Sequence, residues 1–525
     1  MELRKENIHR IGGSTAGEMC GTTSSFTVDD DCNVPDIKPD VKMIIRECGT
    51  IRLMDKKCNA GRLHVKGMLK IELLYIGEDG VTIHGMEGEL PFDEMIHIEQ
   101  EDCSGMTIRA ELEDITATII HSRKVNVKAL IIVKAICEEI EDEIVVTEAD
   151  GTGLFARAKD ISFTNLAAAK KDTIRIREEV QLPASRPNIG EMLYKEMHLT
   201  VTESRVMEEE LSVKGMMNLF VVYRGSGLKE TPELFEMKVP FTDRFDLSGA
   251  RPDMIEDISV MVIQENINTK ADEDGEERII DIEAVLELDM KLYEEKELTV
   301  LEDIYSVSGK VQLRGQEEQI PHLLMKNQGM GNFTGTYDLP ELGVIPMQIA
   351  YGSAQIHLEK ISVEESVLVM EGMLEFRLLL ITGSDERPYT GIKFYAPFKH
   401  SMEVKGLNER CSYKVIPMVM DSSFQLYRSD QIEWKVEVNF QTIVFCSQPE
   451  YMITDAEFVP FTERELEQQY SMIGYRSMEG DTLWSVGKQF FISPDEVAER
   501  NNLEEEIIPS GKMLLLIRGG MGVKE

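Results

Sequence analysis

Long stretches of this chain alternate apolar and polar side chains with a period of two. From Leu63 to Tyr75, the apolar set Leu63, Val65, Leu69, Ile71, Leu73 and Tyr75 opposes His64, Lys66, Lys70 and Glu72. The same alternation runs through 211–223 and 368–380. Successive side chains of a strand point to opposite faces, so the pattern predicts half-buried strands. One glycine interrupts each stretch, at Gly67, Gly215 and Gly372. Glycine weakens a strand interior, and its recurrence therefore predicts a bulge or a close approach of backbone.

These stretches belong to an internal repeat. An apolar–Pro pair stands before each glycine (Val34-Pro35, Leu182-Pro183, Leu339-Pro340), with the proline 32 positions upstream. Downstream come LPF (90–92), VPF (239–241) and APF (396–398), then alternating runs from Val125, Ile279 and Ile432. The glycines are 148 and 157 residues apart, far beyond solenoid periods, so each repeat must carry its own core. The expected fold is multidomain and mainly β: three sandwich-like β-rich repeats followed by a small α+β module. The boundaries read as a flexible segment 1–33, repeat 1 at 34–145, a linker 146–181, repeat 2 at 182–295, a linker 296–338 and repeat 3 at 339–448. A linker 449–469, the module 470–518 and a tail 519–525 complete the chain. Within the linkers, Asn165–Lys171 (NLAAAKK) reads as a short helix and Gly329–Gly335 (GMGNFTG) as a flexible stretch.

The C-terminal pattern is different. Gly480-Asp481 marks a turn, and 483, 486, 487 and 490 have helical spacing. Ser493, Pro494 and Glu496 read as N-cap, N1 and N3 of a second helix with a capping box. Asn501-Asn502 supplies a left-handed C-cap, and Pro509-Ser510-Gly511 turns into a last strand, 513–517. The order is strand, helix, helix, strand. The residues YRSMEGDTLW, ISPDEVAERNNL and IIPSGKMLLL resemble the LysM family across the whole module. That resemblance implies a shallow groove for N-acetylglucosamine polymers, lined by Gly480, Asp481, Thr482, Leu483, Asn502, Ile507, Ile508 and Pro509. Gly480 and Thr482 fit a turn and a helix cap equally well, and Leu483 and Trp484 fit a core.

Composition narrows the function. With 56 basic and 95 acidic residues the chain carries −39, a field that repels phosphate backbones and anionic lipid. Nucleic acid is excluded as a partner, and no apolar run is long enough for membrane insertion. The first residues carry charges and no apolar core of a secretory signal, so the chain reads as cytosolic. Its eight cysteines lack CxxC spacing and read as reduced and mostly buried. No catalytic or phosphate-loop motif is present, and His97–Glu99 and His357–Glu359 read as ordinary surface pairs on strands. No enzyme activity, metal or cofactor is expected.

Repeated β domains, VKG, LLY and LPF anchors, and a terminal LysM resemble the SipL-like family of spore-coat morphogenetic proteins, built of SPOCS domains and a LysM. Repeats 2 and 3 are the SPOCS-like ones on this reading. The resemblance implies a mother-cell cytosolic coat-assembly protein at the forespore surface, docked through its LysM on the coat ATPase SpoIVA, with other coat proteins as further partners. A LysM on a chain that is not exported meets no intact wall polymer, which favours a protein ligand over a glycan. The competing reading is a peptidoglycan- or GlcNAc-polymer-binding protein of wall or cortex.

Overall fold

Each of the three repeats folds into six main strands in two antiparallel sheets. The structure is a computed structural model that describes residues 1–11, 17–18, 22–59, 61–98, 107–136, 140–227, 232–339, 342–428, 430–468 and 471–518. The first repeat holds β1 (Glu2–Ile11), β2 (Gly17–Glu18), β3 (Thr22–Asn33), β4 (Val41–Asn59), β5 (Arg62–Gly77), β6 (Ile83–His97), β7 (Thr107–His121), β8 (Lys124–Ile136) and β9 (Ile140–Asp150). Strands β4-β5-β6 make one sheet and β3-β8-β7 the other. The second repeat has β10 (Leu154–Gln181), β11 (Ile189–Met207), β12 (Glu210–Gly225), β13 (Pro232–Asp246), β14 (Ile255–Ala271) and β15 (Glu277–Ser306), in sheets β11-β12-β13 and β10-β15-β14. The third has β16 (Gly309–Asp338), β17 (Pro346–Glu364), β18 (Val367–Thr382), β19 (Tyr389–Glu403), β20 (Cys411–Tyr427) and β21 (Gln431–Pro460), in sheets β17-β18-β19 and β16-β21-β20. The short β2 adds to the β20 edge. Both sheets of a repeat contribute to one core, so the chain is a mainly β, multidomain set of sandwiches.

The repeated glycines have a common structural reason. Gly67, Gly215 and Gly372 lie opposite Phe92, Phe241 and Phe398 in the strand register, and a Cβ on any of them would overlap that ring. On the other side each faces a bulge, at Leu53/Asp55, Val201/Glu203 and Leu358/Lys360. Bulge and ring thus close on the glycine from both sides. The apolar–Pro anchors are held by arginines. Arg123 donates to the carbonyls of Val34, Pro35 and Lys38, and Arg278 to those of Leu182, Pro183 and Arg186. Tyr75 and Tyr223 donate from their hydroxyls to Pro39 and Pro187, 3.0 and 3.2 Å away. Pro340 of the third anchor lies outside the described residues.

The expected linkers are strands. NLAAAKK runs inside β10, which pairs with β15 along its whole length, and a bulge at Leu166/Ala168 breaks the alternation that would have marked it. GMGNFTG runs inside β16. Its glycines are small to admit neighbours, since a Cβ on Gly331 or Gly335 would strike Phe440 or Trp434. The 449–469 stretch supplies the end of β21 and a short α-helix. In the expected flexible segment 1–33, β1 pairs with β9 and β3 with β8; Gly12-Gly13 lie outside the described residues. Four cysteines, Cys32, Cys48, Cys411 and Cys446, are free thiols as expected, but Cys58 is disulfide-bonded. Cys20, Cys103 and Cys137 lie outside the described residues.

Beside the sandwiches lie three two-stranded ribbons: the separate strands β1 and β9, the start of β10 with the end of β15, and the start of β16 with the end of β21. The ribbons bury one another. Val145, Ile161, Phe163, Val300, Ile320 and Met452 form one cluster, and Val146, Leu301, Ile304, Ile453 and Ala456 a second.

The sandwiches also meet one another in cyclic order. Gly85 of the first repeat packs on the Leu193 carbonyl of the second, and Gly391 of the third on the Ile45 carbonyl of the first. At the centre, Arg46 donates to both carboxylate oxygens of Glu196 (2.8 and 2.9 Å) and to Ser353 Oγ (2.8 Å), with its guanidinium 4.8 Å from the Tyr351 ring centre. Burial alone would raise the Glu196 carboxyl, but Arg46 and His198 outweigh it and hold it well below its usual range. Between repeats 3 and 1, His357 sits 3.1 Å from Glu113 and 3.6 Å from Glu375, so it is a cross-repeat ion-pair residue and not a surface pair. Glu359 has no part in it.

Two outcomes follow from these seams. A Gly85→Val substitution, whose side chain would overlap the Leu193 carbonyl, lowers the melting temperature by several degrees or more, while Gly474→Val, where only the Met513 sulfur comes as near as 4.0 Å, costs less; calorimetry on both variants checks the ranking. His357 has burial working to lower its pKa, but Glu113 and Glu375 raise it to about 9. A raised histidine stabilises fully below its unfolded pKa of about 6.5 and loses that contribution as pH rises through the folded value. The stability gap between the wild type and His357→Gln is therefore widest below about pH 6.5 and closes as pH passes about 9. A gap independent of pH would contradict this.

Candidate functional site

After a short helix α1 (Glu463–Gln468), the module is built from β22 (Met472–Arg476), α2 (Leu483–Phe490), α3 (Pro494–Asn501) and β23 (Met513–Ile517). Strands β22 and β23 pair antiparallel, and Val486, Ile492, Val497, Ile508, Leu514 and Leu516 fill the core between sheet and helices. Thr482 caps α2, exchanging hydrogen bonds with Ser485 in a capping box. The box expected at the second helix is absent there. Ser493 stands at the N-cap of α3 without a side-chain cap bond, and Pro494 begins the helix. Asn502 takes the left-handed C-cap conformation at φ 49°. Asn501 instead ties α3 to β23, donating to the Leu515 carbonyl and accepting from its N–H.

Seven of the eight candidate groove residues come together. Gly480, exposed at φ +90°, allows the tight turn before α2. Asp481 accepts from the Tyr475 hydroxyl (2.9 Å) and the Met478 N–H (2.8 Å), and this hydrogen bond raises the tyrosine pKa. Thr482 bridges to Ile507, Leu483 N–H donates to the Glu506 carbonyl, and Ile508 N–H donates to the Asp481 carbonyl. Ser477 holds the second loop through the Pro509 carbonyl at 2.6 Å. The two loops are thereby zipped side by side. Their roles differ: Ile508 is core at 2% exposure, whereas Ile507 is 67% and Met478 64% exposed. Asn502 sits apart, at the end of α3, where its N–H turns back to the Glu499 carbonyl.

What the sequence did not reveal is that the module is clamped to the ribbons. Asp303, near the end of β15, accepts from the Trp484 indole N–H at 2.9 Å and from the Lys488 ammonium at 2.6 and 2.7 Å. Tyr305 packs edge-on to Trp484, with centroids 4.9 Å apart, and donates to the Ile492 carbonyl at 2.8 Å. Burial pushes the Tyr305 hydroxyl well above its ordinary range. Gly487 has no room for a Cβ because the Tyr305 hydroxyl lies against it. Arg518 donates to the Val307 carbonyl and covers Phe461, which meets Phe491 edge-on. Asp303 and Tyr305 fall in a stretch that looks like a linker. Trp484, on the outer side of a short helix, was the one available signal.

The geometry defines a class: tandem β-sandwiches of one design, joined by packed ribbons, carrying a small βααβ module on the ribbon tip. Two stretches of the chain, 40–120 and 188–271, match the family model described as SipL, SPOCS domain, so the protein carries two SPOCS domains. They are the first and second repeats, whereas the sequence reading placed the SPOCS likeness on the second and third. No curated protein and no solved structure matches the chain. Among the described residues, no helix is long and apolar enough to cross a membrane.

The clamp has a direct test. Only two tryptophans are present, and Trp434 is buried in the third sandwich. Asp303→Ala removes the acceptor of both Trp484 and Lys488, so Trp484 emission shifts to the red and the 461–468 stretch becomes protease-sensitive while the sandwiches keep their melting transition. Unchanged emission would rule out the clamp.

Proposed function

We propose that this protein is a non-enzymatic spore-coat assembly scaffold whose C-terminal module is a LysM domain that docks on a SpoIVA-like coat ATPase. It acts in the mother-cell cytosol at the forespore surface, with other coat proteins as further partners. The two SPOCS matches support a coat-related role and protein partners. The observation that carries the docking surface is the division of the module into two faces. The α2 face with Trp484 and Lys488 is spent on Asp303 and Tyr305, while the zipped loops leave Met478, Gly480 and Ile507 in solvent. Two exposed apolar side chains beside an open glycine suit a protein surface, where a few central apolar anchors supply most of the binding energy.

Substitutions separate binding from folding on this reading. Ile508→Ala opens a cavity in the module core and Asp481→Ala removes the turn's acceptor, so both act through stability. Ile507→Glu changes only the exposed lip. In a pull-down, the full chain recovers SpoIVA, the 1–469 truncation does not, and Ile507→Glu reduces recovery at least tenfold with an unchanged melting temperature. Equal recovery by full chain and truncation would refute the docking. Saturable binding of purified peptidoglycan by the full chain, without SpoIVA recovery, would replace it with the glycan reading.

A further inference from the structure

The seam between the second and third repeats holds a half-open cavity of about 190 Å³. Strands β11 and β14 of the second repeat and β16, β20 and β21 of the third form its walls, and Arg109 on β7 reaches in from the first. Lys326 and Lys414 complete a ring of three cations, unusual in a chain that carries −39. Two carboxylates answer them: Glu256 pairs with Lys326 at 2.5 Å and Asp257 with Lys414 at 2.7 Å. The Arg109 side chain has no hydrogen bond or ion pair among the described residues. Behind the wall, Lys291 lies opposite Asp257 in the β14–β15 register at 8% exposure. Burial, and then the charges of Lys414 and Arg109, pull its amine down to about 7. The Ser259 hydroxyl on the cavity wall is buried without a hydrogen-bond partner.

Crowded like charges and an unanswered buried hydroxyl both cost free energy, and a bound anion would offset both. The donors also converge from three directions: Arg109 from the first repeat, Ser259 from the second and Lys414 from the third. A tetrahedral oxyanion accepts from several directions at once, which a planar carboxylate does less well. We propose that this cavity is a binding site for a small tetrahedral oxyanion of the phosphate class, which bridges all three repeats.

The test uses the intact chain and inorganic phosphate, titrated at constant ionic strength against chloride and acetate. Binding to the folded state alone raises the melting temperature with ligand concentration, by about 2–4 °C near a hundredfold excess over Kd for a chain of several domains. The expected result is a rise with phosphate, absent with acetate, lost in Arg109→Gln and kept in Lys134→Gln, an exposed cation on the neighbouring strand. Ser259→Ala gives the same loss and serves if Arg109→Gln does not fold. As an independent readout, equilibrium dialysis with radiolabelled phosphate shows saturable uptake by the wild type and none by Arg109→Gln. No phosphate-specific rise, an equal rise in both folded site variants, or no saturable uptake by the wild type would overturn the proposal. An equal effect of acetate would replace phosphate with any small anion.

Discussion

A two-stranded antiparallel ribbon has an apolar face and nothing of its own to cover it, and such a hairpin is marginal in water. In this protein each repeat has one ribbon beside its sandwich, and the three ribbons cover each other through Val145, Ile161, Val300, Ile320 and Met452. In the second and third repeats the ribbon strands continue without interruption from the sandwich, as β15 and β21 do over 30 residues each. The position of the C-terminal module follows from this, because its clamp residue Asp303 lies near a ribbon tip.

The contact between sandwiches is cyclic but not symmetric. The position 21 residues before each repeat glycine is Arg46, Tyr194 and Tyr351, and all three meet at the centre. Three arginines there would repel one another, and three tyrosines would leave the buried Glu196 carboxylate with His198 alone. One arginine, one carboxylate and two rings satisfy the site. A buried pair of this kind is costly to break from one side because the remaining charge stays buried. The repeats have therefore diverged at the axis in a coupled way, and none can substitute for another. The seam charges His357, Glu113 and Glu375 show the same division of labour between repeats 3 and 1.

Much of this was legible in the residues. Period-two alternation located β5, β12 and β18, and the recurring glycines were correctly read as sites of close approach, each meeting a phenylalanine and a bulge. What failed were boundaries and linkers. NLAAAKK looked helical because alanines replace the branched residues of a strand and a bulge shifts the alternation. GMGNFTG looked flexible because glycine signals both freedom and tight packing, and only the neighbouring Phe440 and Trp434 distinguish them. At the module, local rules found Gly480, Thr482 and the Asn502 cap, since caps and turns are written within a few residues. The clamp was not legible: Asp303 and Trp484 are 181 positions apart, and nothing local couples a lone carboxylate to a distant indole.

The clamp also determines how the molecule would carry a mechanical load. A pull on the module passes through Asp303 and Tyr305 into β15, and through the chain itself into β21. At roughly 3.3 Å per residue, each of these strands spans on the order of 100 Å. Tension along such a strand meets its ladder of hydrogen bonds in shear, where many must yield together, and not in peeling, where they would yield one by one. The weakest joint is then the single partly buried carboxylate at the tip, so the module would detach before any sandwich opened.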